Sequence, residues 1–250
     1  MPRVRTALVL LLAALVAGFA PGPGVAHAQD DPAAAKPKPK AKRRRPLGTA
    51  GTYMGRPIAE VMTFHGADWL VRAEREQEEQ PEAMLDALKI NRGATVADVG
   101  AGVGYTSLKL ARRVGPAGTV YATDIQPEML ALLRQRLARE RVSNVEPVLG
   151  QADDPKLPLS AIDLILMVDV YHEFSEPQKM LRRMREALKP DGRLVLLEYR
   201  KEDPSIPIRP EHKMTVAEAK MEVEAEGFRL TKVDEMLPRQ HILIFTKPER

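Results

Sequence analysis

The chain has 250 residues, of which 44% are apolar, enough to bury the core of one large domain. It contains no cysteine, which excludes disulfides, thiolate metal sites and a cysteine nucleophile. The formal charge of +4 is uneven, because residues 1–45 hold nine Lys/Arg and two Asp, whereas residues 46–250 hold 29 basic and 32 acidic residues. This slightly acidic body argues against a nucleic-acid-binding surface, so no nucleic-acid partner is expected.

The extreme N-terminus has the features of an export signal. Two arginines precede an apolar run over residues 7–17, and small residues at Ala26 and Ala28 form a cleavage pattern. A signal peptide is therefore predicted over residues 1–28, and the protein is expected to be exported (periplasmic or secreted). An uncleaved signal, which would anchor the protein in a membrane, is the alternative.

The next segment, residues 29–46, is rich in Pro, Ala, Lys and Arg. Such a composition cannot bury enough apolar surface to fold, so a disordered basic linker is predicted. The linker is interpreted as a solvated spacer, although residues 36–45 could also contact an anionic membrane surface.

Residues 47–80 are predicted to form an N-terminal accessory helical segment, with a charge-rich helix from Gly66 to Glu79. Trp69 is the only tryptophan. Together with His65 it could lie over a ligand cleft as a lid and contact a substrate. Packing of the indole on an accessory helix is the alternative.

A glycine-rich turn is the strongest signal in the chain. The apolar run Val96–Val99 predicts a buried strand, Thr106–Val114 has the apolar spacing of a helix, and between them lies Gly100-Ala101-Gly102-Val103-Gly104. The spacing is not that of a dinucleotide-binding turn, which would need glycine at Tyr105. Asp98 would repel a pyrophosphate but could pair with a ligand that carries ammonium and sulfonium groups.

The rest of the chain alternates strands with helices. Two capping boxes, at residues 175–178 and 215–218, predict helix starts. A turn containing Pro238 joins the last two strands into an antiparallel hairpin. An α/β fold is therefore predicted, with helices on both faces of a seven-stranded, mostly parallel sheet that ends in this hairpin. After Val96–Val99, its predicted strands are 119–124, 145–149, 163–169, 193–198, 228–236 and 240–246.

The segment from Asp98 to Gly104 resembles the first motif of class I S-adenosylmethionine (SAM) dependent methyltransferases. The loop around Tyr171-His172 is similar to that of the ubiquinone/menaquinone-biosynthesis-like branch. The resemblance implies a Rossmann-like methyltransferase domain over residues 81–250 with SAM as its cofactor. It also implies in-line methyl transfer to a small-molecule or lipid-like acceptor.

The resemblance implies a role for each loop beside the cofactor. The glycine turn would hold the methionine part, and Asp124 would accept hydrogen bonds from the ribose hydroxyls, unless it caps the helix that begins at Pro127. After Gly150, either Gln151 or Asp153 would meet the adenine amine. The predicted cofactor-binding residues are Asp98, Gly100, Ala101, Gly102, Gly104, Asp124, Ile125, Gln151, Ala152, Asp153 and Asp169.

The acceptor side of the site is predicted from the loops after the central strands. His172 is the candidate general base for an oxygen acceptor, because imidazole titrates near neutrality, and Tyr171 is the second catalytic candidate. A histidine that only packs or caps is the alternative. No metal is predicted, since Asp169, His172 and His212 would be an unspecific ligand set. The candidate substrate contacts are Trp69, Tyr199, Arg200 and His212.

Two other functions remain open from the sequence. An exported, non-catalytic SAM-binding or scaffold protein is one, because SAM is a charged molecule made inside cells that should not cross a bilayer unaided. Turnover with any acceptor would show that the protein is an enzyme rather than such a scaffold. Methylation of RNA or protein guided by the basic tail is the other, and the acidic body argues against it.

Overall fold

The computed structural model describes residues 51–248. The predicted signal peptide and linker, and with them the expected membrane contact of residues 36–45, lie outside the described residues. The described chain contains nine strands and six α-helices. The strands are β1 (Thr52–Tyr53), β2 (Arg56–Pro57), β3 (Thr95–Val99), β4 (Thr119–Asp124), β5 (Val145–Leu149), β6 (Ile162–Val168), β7 (Leu188–Tyr199), β8 (Arg229–Asp234) and β9 (Gln240–Thr246). The helices are α1 (Arg75–Glu79), α2 (Pro81–Leu88), α3 (Tyr105–Val114), α4 (Pro127–Glu140), α5 (Pro177–Ala187) and α6 (Val216–Ala225).

A seven-stranded sheet with the order β5-β4-β3-β6-β7-β9-β8 forms the centre of the fold. The strands from β5 to β7 pair in parallel, and β9 pairs antiparallel with both β7 and β8. The predicted α/β fold with a C-terminal antiparallel hairpin is therefore confirmed.

Helices cover both faces of this sheet because its central strands are apolar on both sides. Leu110 of α3 and Leu133 of α4 pack in the core on one face. Met184 of α5 and Val223 of α6 pack in the core on the other. In β6 only Asp163 and Val168 are partly exposed, as expected of a central parallel strand.

The strand order places a ligand cleft between β3 and β6. From β3 the chain runs outward to β4 and β5, then returns to the other side of β3 as β6. In open α/β sheets, ligands bind beyond the carboxyl ends of the strands where the order reverses in this way. The turn after β3 and the loop after β6 therefore border the same space.

The predicted helix from Gly66 to Glu79 is divided in the structure. A 3-10 helix, Phe64–Val71, is followed by the short helix α1. Between them Arg72 has an extended backbone, and its guanidinium donates to the Trp69 carbonyl and to the carboxylates of Glu78 and Glu79. These bonds stabilise the break between the two helices. Residues 51–80 therefore form the β1–β2 hairpin followed by two short helices.

One of the two predicted capping boxes forms. Thr215 Oγ1 accepts a hydrogen bond from the Glu218 backbone N–H, and the Glu218 carboxylate accepts one from the Thr215 N–H. The box predicted at residues 175–178 is wrong, since α5 begins at Pro177 and has no side-chain cap. Gln178 is then the second helical residue, one position too early for a box, and donates instead to Glu226.

A search of residues 51–248 finds no helix with the length and apolar character that a membrane span requires.

Candidate functional site

A cleft of about 850 Å³, including the part open to solvent, lies at the carboxyl ends of the parallel strands. Seven of the predicted cofactor-binding residues line it: Gly100, Gly102, Asp124, Ile125, Gln151, Ala152 and Asp169. Residues that were not predicted to bind a ligand also contribute to its walls, among them Val61, Met62, Leu70, Gln126, Met129, Val170, Glu173 and Phe174.

The glycine turn presents bare backbone to this cleft. Gly100 has φ +78°, and a Cβ atom added there would lie 2.4 Å from Cγ2 of Val170. Gly102 has φ +52°, and its Cβ would lie 2.8 Å from Cδ1 of Leu70. The backbone conformation favours glycine at both positions. At Gly100 the β-branched Val170 side chain also excludes a Cβ, whereas at Gly102 only the flexible end of Leu70 would have to move.

Ala101 and Gly104, also in the turn, support its structure. Ala101 donates its backbone N–H to the Thr123 carbonyl, and Gly104 is the N-cap residue of α3. A Cβ at Gly104 would lie 2.1 Å from Cδ1 of Leu133 in α4. Ala101 and Gly104 thus shape the turn and seat it against α4, but they do not line the cleft.

Asp98 lies beside the turn rather than in the cleft. Its side chain is buried and accepts a hydrogen bond of 2.6 Å from Ser107 Oγ of α3. Burial raises the pKa of this carboxyl to about 6, although the bond from Ser107 acts in the opposite direction. The expected direct pairing of Asp98 with a cationic ligand is therefore not the arrangement that the structure describes.

Asp124 connects the glycine turn to the start of α4. One carboxylate oxygen accepts from the Gly102 N–H at 2.8 Å and the other from the Gln126 N–H at 2.9 Å. Burial raises the pKa of Asp124. The N-cap residue of α4 is Gln126, and the helix has no side-chain cap, so Asp124 does not cap it. The Ile125 N–H also acts on this carboxylate, which still retains acceptor capacity for a ligand hydroxyl.

The structure separates the two residues proposed for the adenine loop. Gln151 lines the cleft, whereas Asp153 lies on the outer side of the loop, 4.0 Å from the ammonium group of Lys179. Of the two, Gln151 is the one positioned to meet a ligand.

Asp169 follows β6 with a left-handed backbone, φ +51°, and lines the cleft. Gln240 Nε2 donates to its Oδ2 at 2.7 Å, while its buried Oδ1 has no hydrogen-bond partner within residues 51–248. Burial raises the pKa of Asp169 well above its usual range, as do the nearby charges of Glu79 and Glu198. A buried acceptor of this kind needs a donor or a cation that residues 51–248 do not supply, such as a ligand group or a water molecule.

His172 is held in a chain of hydrogen-bonding groups behind the cleft wall. Its Nδ1 lies 2.6 Å from Glu198 Oε2, and its Nε2 lies 3.2 Å from Nδ1 of His212. Burial lowers the pKa of His172, but the Glu198 carboxylate outweighs this effect and the net pKa is raised. The His172 side chain is only 2% exposed and does not line the cleft.

His212 belongs to this hydrogen-bonded group of side chains and lies in the 3-10 turn Pro210–His212. Arg209 Nη2 lies 2.8 Å from its Nε2 and can only donate, so Nε2 is the acceptor and Nδ1 carries the proton toward His172. His172 then accepts at Nε2 and donates from Nδ1 to Glu198. Burial lowers the pKa of His212 to about 4.

Glu173 is a cleft residue that the sequence prediction missed. It lines the cleft, and its Oε1 accepts a bond of 3.3 Å from the Met62 N–H. Burial raises its pKa to about 7, so it titrates near neutrality. An acid with such a pKa beside a cleft is typical of functional sites. Its position directly after His172, in the loop beyond the central strand, was the available signal.

The two tyrosines proposed for the site lie outside it. The Tyr171 hydroxyl donates to Glu222 in the core, at 3.0 Å, and the ring is fully buried. The Tyr199 hydroxyl donates to Glu79 at 2.9 Å. Tyr171 is the first residue of a 3-10 turn, Tyr171–Glu173, which directs its ring into the core and the Glu173 side chain toward the cleft.

Two further substrate candidates, Arg200 and Trp69, do not line the cleft either. Arg200 donates to the Glu235 carboxylate and to backbone carbonyls of the β8–β9 turn. Trp69 is 49% exposed, with the Arg72 guanidinium 3.8 Å from its ring centroid. The neighbouring Leu70 is the residue of this lid segment that lines the cleft.

Comparisons with known proteins agree with this architecture. Residues 90–237 match the family model described as a methyltransferase domain. Curated relatives include the ubiquinone/menaquinone biosynthesis C-methyltransferases of Escherichia fergusonii and Salmonella arizonae, each 36% identical over 118 residues. These alignments cover 47% of this chain, and the chain spans about half the length of the curated relatives it matches (47%).

Solved structures show the same fold. A SAM dependent methyltransferase from Aquifex aeolicus is 28% identical with a TM-score of 0.70, over 74% of this chain and 98% of that one. A putative type 11 methyltransferase from Sulfolobus solfataricus, 20% identical with a TM-score of 0.57 over 69% of this chain and 95% of that one, shares the fold. The chain therefore belongs to the methyltransferase-domain family and has the fold of SAM-dependent methyltransferases.

Proposed function

We propose that the protein is a SAM-dependent methyltransferase that acts on a small-molecule or lipid-like acceptor. The observation that supports this most directly is the unpartnered Asp169 Oδ1 at a cleft that also contains bare glycine backbone and Asp124. SAM carries cationic groups and hydroxyl groups that can serve as the bonding partners of these carboxylates. When bound, it supplies an electrophilic methyl group on its sulfonium.

The residues of the cleft fit the parts of SAM. Asp169 Oδ1 would accept from the ammonium group or stabilise the sulfonium charge. Asp124 would accept from the ribose hydroxyls, and Gln151 would meet the adenine amine. The bare backbone at Gly100 and Gly102 leaves room for the ligand to approach the turn.

The chain's contribution to the reaction is chiefly positioning. Methyl transfer needs the acceptor atom about 3 Å from the methyl carbon and in line with the breaking bond, and such alignment alone can provide much of the acceleration. His172 does not line the cleft, so it is not assigned as the group that deprotonates the acceptor. We place the acceptor beside Glu173 instead, since this carboxyl group lines the cleft.

The chemistry of the walls supports an apolar acceptor. Val61, Met62 and Leu70 of the N-terminal segment and Phe174 after β6 are apolar wall residues. Ligand clefts lined in this way favour hydrophobic molecules, with a few polar groups that fix their orientation. The curated relatives, named for ubiquinone/menaquinone biosynthesis, are C-methyltransferases, which is consistent with a small or lipid-like acceptor.

Titration calorimetry of the purified full-length protein tests the cofactor before any acceptor is known. SAM and its demethylated product should bind in the micromolar range, and NAD should not bind. Tight NAD binding without SAM binding would refute the proposal. If SAM binds, assays of methyl transfer to quinone-like and other apolar acceptors then separate an enzyme from a scaffold.

A further inference from the structure

Three side chains that can bind a metal converge behind the cleft wall, and one of them, Glu173, also lines the cleft. His172 Nε2 lies 3.2 Å from His212 Nδ1, and the same His212 nitrogen lies 3.7 Å from Glu173 Oε1. One ligand atom from each of the three side chains lies within 4.8 Å of the other two. Two of the residues come from the turn after β6 and the third from the turn before α6, so the donors approach from two directions.

The spacing of these donors suits a metal ion. Two nitrogens bound to Zn²⁺ at about 2.0–2.1 Å in tetrahedral geometry lie about 3.3 Å apart. The observed nitrogen–nitrogen distance of 3.2 Å is close to this value, and the nitrogen–oxygen distance of 3.7 Å is slightly longer. Two imidazoles and one carboxylate form a donor set that binds Zn²⁺, Fe²⁺ and Co²⁺ and leaves positions open for other ligands.

A buried carboxylate orients one of the imidazoles as a ligand. Glu198 Oε2 lies 2.6 Å from His172 Nδ1, and the other Glu198 oxygen accepts from the Tyr171 backbone N–H. Glu198 therefore fixes the tautomer in which His172 Nδ1 carries the proton. The Nε2 lone pair of His172 accepts from His212 in this structure and becomes available as a ligand when the His212 proton moves to the Nε2 of its own ring. A carboxylate–histidine pair of this kind typically supports metal-bound histidine and raises its basicity.

The surrounding charge also favours a cation. Glu173 and Glu198 are buried, and neither forms a salt bridge with Lys or Arg within the described part of the chain. Of the cationic groups nearby, the buried Arg56 donates to the His172 carbonyl and is paired with Glu222. Arg209 donates to His212 Nε2. Its side chain is 71% exposed, so it can turn away when His212 Nδ1 binds a metal and the proton moves to Nε2.

We propose that His172, Glu173 and His212 bind one divalent transition-metal ion. Glu173 lines the cleft, so an open coordination position would lie beside it. There the ion would bind an oxygen of the methyl acceptor and hold it for transfer, a role that rests on the proposed methyltransferase function. The metal site itself is independent of SAM, so each can be tested without the other.

Metal titration of the purified full-length protein, stripped with a chelator and free of SAM, tests the site. Co²⁺ should bind at one ion per chain with visible absorption bands, and Zn²⁺ should displace it. His212→Ala and Glu173→Gln should each weaken Co²⁺ binding at least tenfold. The amide oxygen of the second variant can still accept from the Met62 N–H, so the fold should be retained.

His241→Gln is the matched control. His241 also lies between two carboxylates, but Glu235 and Glu202 contact opposite ring nitrogens, so these three groups do not converge on one ion. Its substitution should leave Co²⁺ affinity unchanged. Circular dichroism verifies folding and calorimetry verifies SAM binding in every variant. No stoichiometric Co²⁺ binding by the folded wild type, or equal binding by the His212→Ala/Glu173→Gln double variant, would overturn the proposal.

Discussion

Gln240 Nε2 donates a hydrogen bond of 2.7 Å to Asp169 Oδ2 and leaves the second oxygen of that carboxylate without a partner among residues 51–248. Gln240 is the first residue of β9, and it reaches the carboxyl ends of the parallel strands because β9 runs antiparallel to β7. The C-terminal hairpin therefore engages one oxygen of the carboxylate, Oδ2. The other oxygen, Oδ1, remains available to a ligand.

Asp169→Asn should weaken SAM binding by roughly ten- to a hundredfold. A charge-assisted hydrogen bond contributes about 1.5–3 kcal/mol, and the amide removes the charge. The amide oxygen can still accept from Gln240, so the free energy of unfolding should not fall. Titration calorimetry of the wild type and the variant measures the difference.

Asp153→Asn is the control for this experiment, because Asp153 is an acidic residue of the adjacent loop that lies outside the cleft. Its substitution should leave SAM affinity within twofold of the wild type. Equal affinities for the wild type and Asp169→Asn would show that the unpartnered oxygen does not face the cofactor.

Gly100→Ala should impair both folding and cofactor binding. At φ +78° an L side chain costs about 1–2 kcal/mol, and the added Cβ would also meet Val170 Cγ2 at 2.4 Å. Because both Gly100 and Val170 line the cleft, relief of that clash must move a cleft wall. We expect at least a tenfold loss of SAM affinity and a lower midpoint in urea unfolding.

Gly93→Ala separates backbone strain from obstruction of the cleft. Gly93 has φ +82°, but no atom lies within 4 Å of the position of an added Cβ. It should lose about 1–2 kcal/mol of stability and keep its SAM affinity. If both variants bind SAM like the wild type, the bare turn is a folding requirement alone.

The sequence predicted the sheet and the location of the site because both follow from backbone rules. Alternating strands and helices determine the parallel sheet, and the loops beyond β3 and β6 border one cleft in any fold with this strand order. Asp124 and Gly100, which were predicted to bind the cofactor, do line the cleft, since the end of a strand and a glycine turn largely determine where their backbones lie.

Side-chain directions could not be predicted in the same way. Tyr171 turns into the core because Glu222, 51 residues later, accepts its hydroxyl and also binds the buried Arg56. Tyr199 bonds to Glu79, 120 residues earlier. Such buried polar partners lie far apart in sequence, so no local pattern reveals them. The approach of His212 to Glu173 was hidden for the same reason.

Asp98→Asn should make the protein more stable above pH 6. Burial raises the pKa of Asp98 from 3.8 to about 6, so the folded protein holds this proton more tightly than the unfolded chain does. The free energy of unfolding therefore falls as pH rises from about 4 to about 6, and the loss persists above pH 6. An amide cannot ionise, and its oxygen can still accept from Ser107.

Urea unfolding of the wild type and Asp98→Asn at pH 4 and pH 7.5 measures this effect. A shift of about two pKa units corresponds to roughly 2–3 kcal/mol. The stability of the variant relative to the wild type should therefore increase by about that amount between the two pH values. Contributions from all other titrating groups cancel in this comparison if the substitution leaves them unchanged. If the stability difference between the two proteins does not change with pH, the pKa of Asp98 is the same in the folded protein as in the unfolded chain.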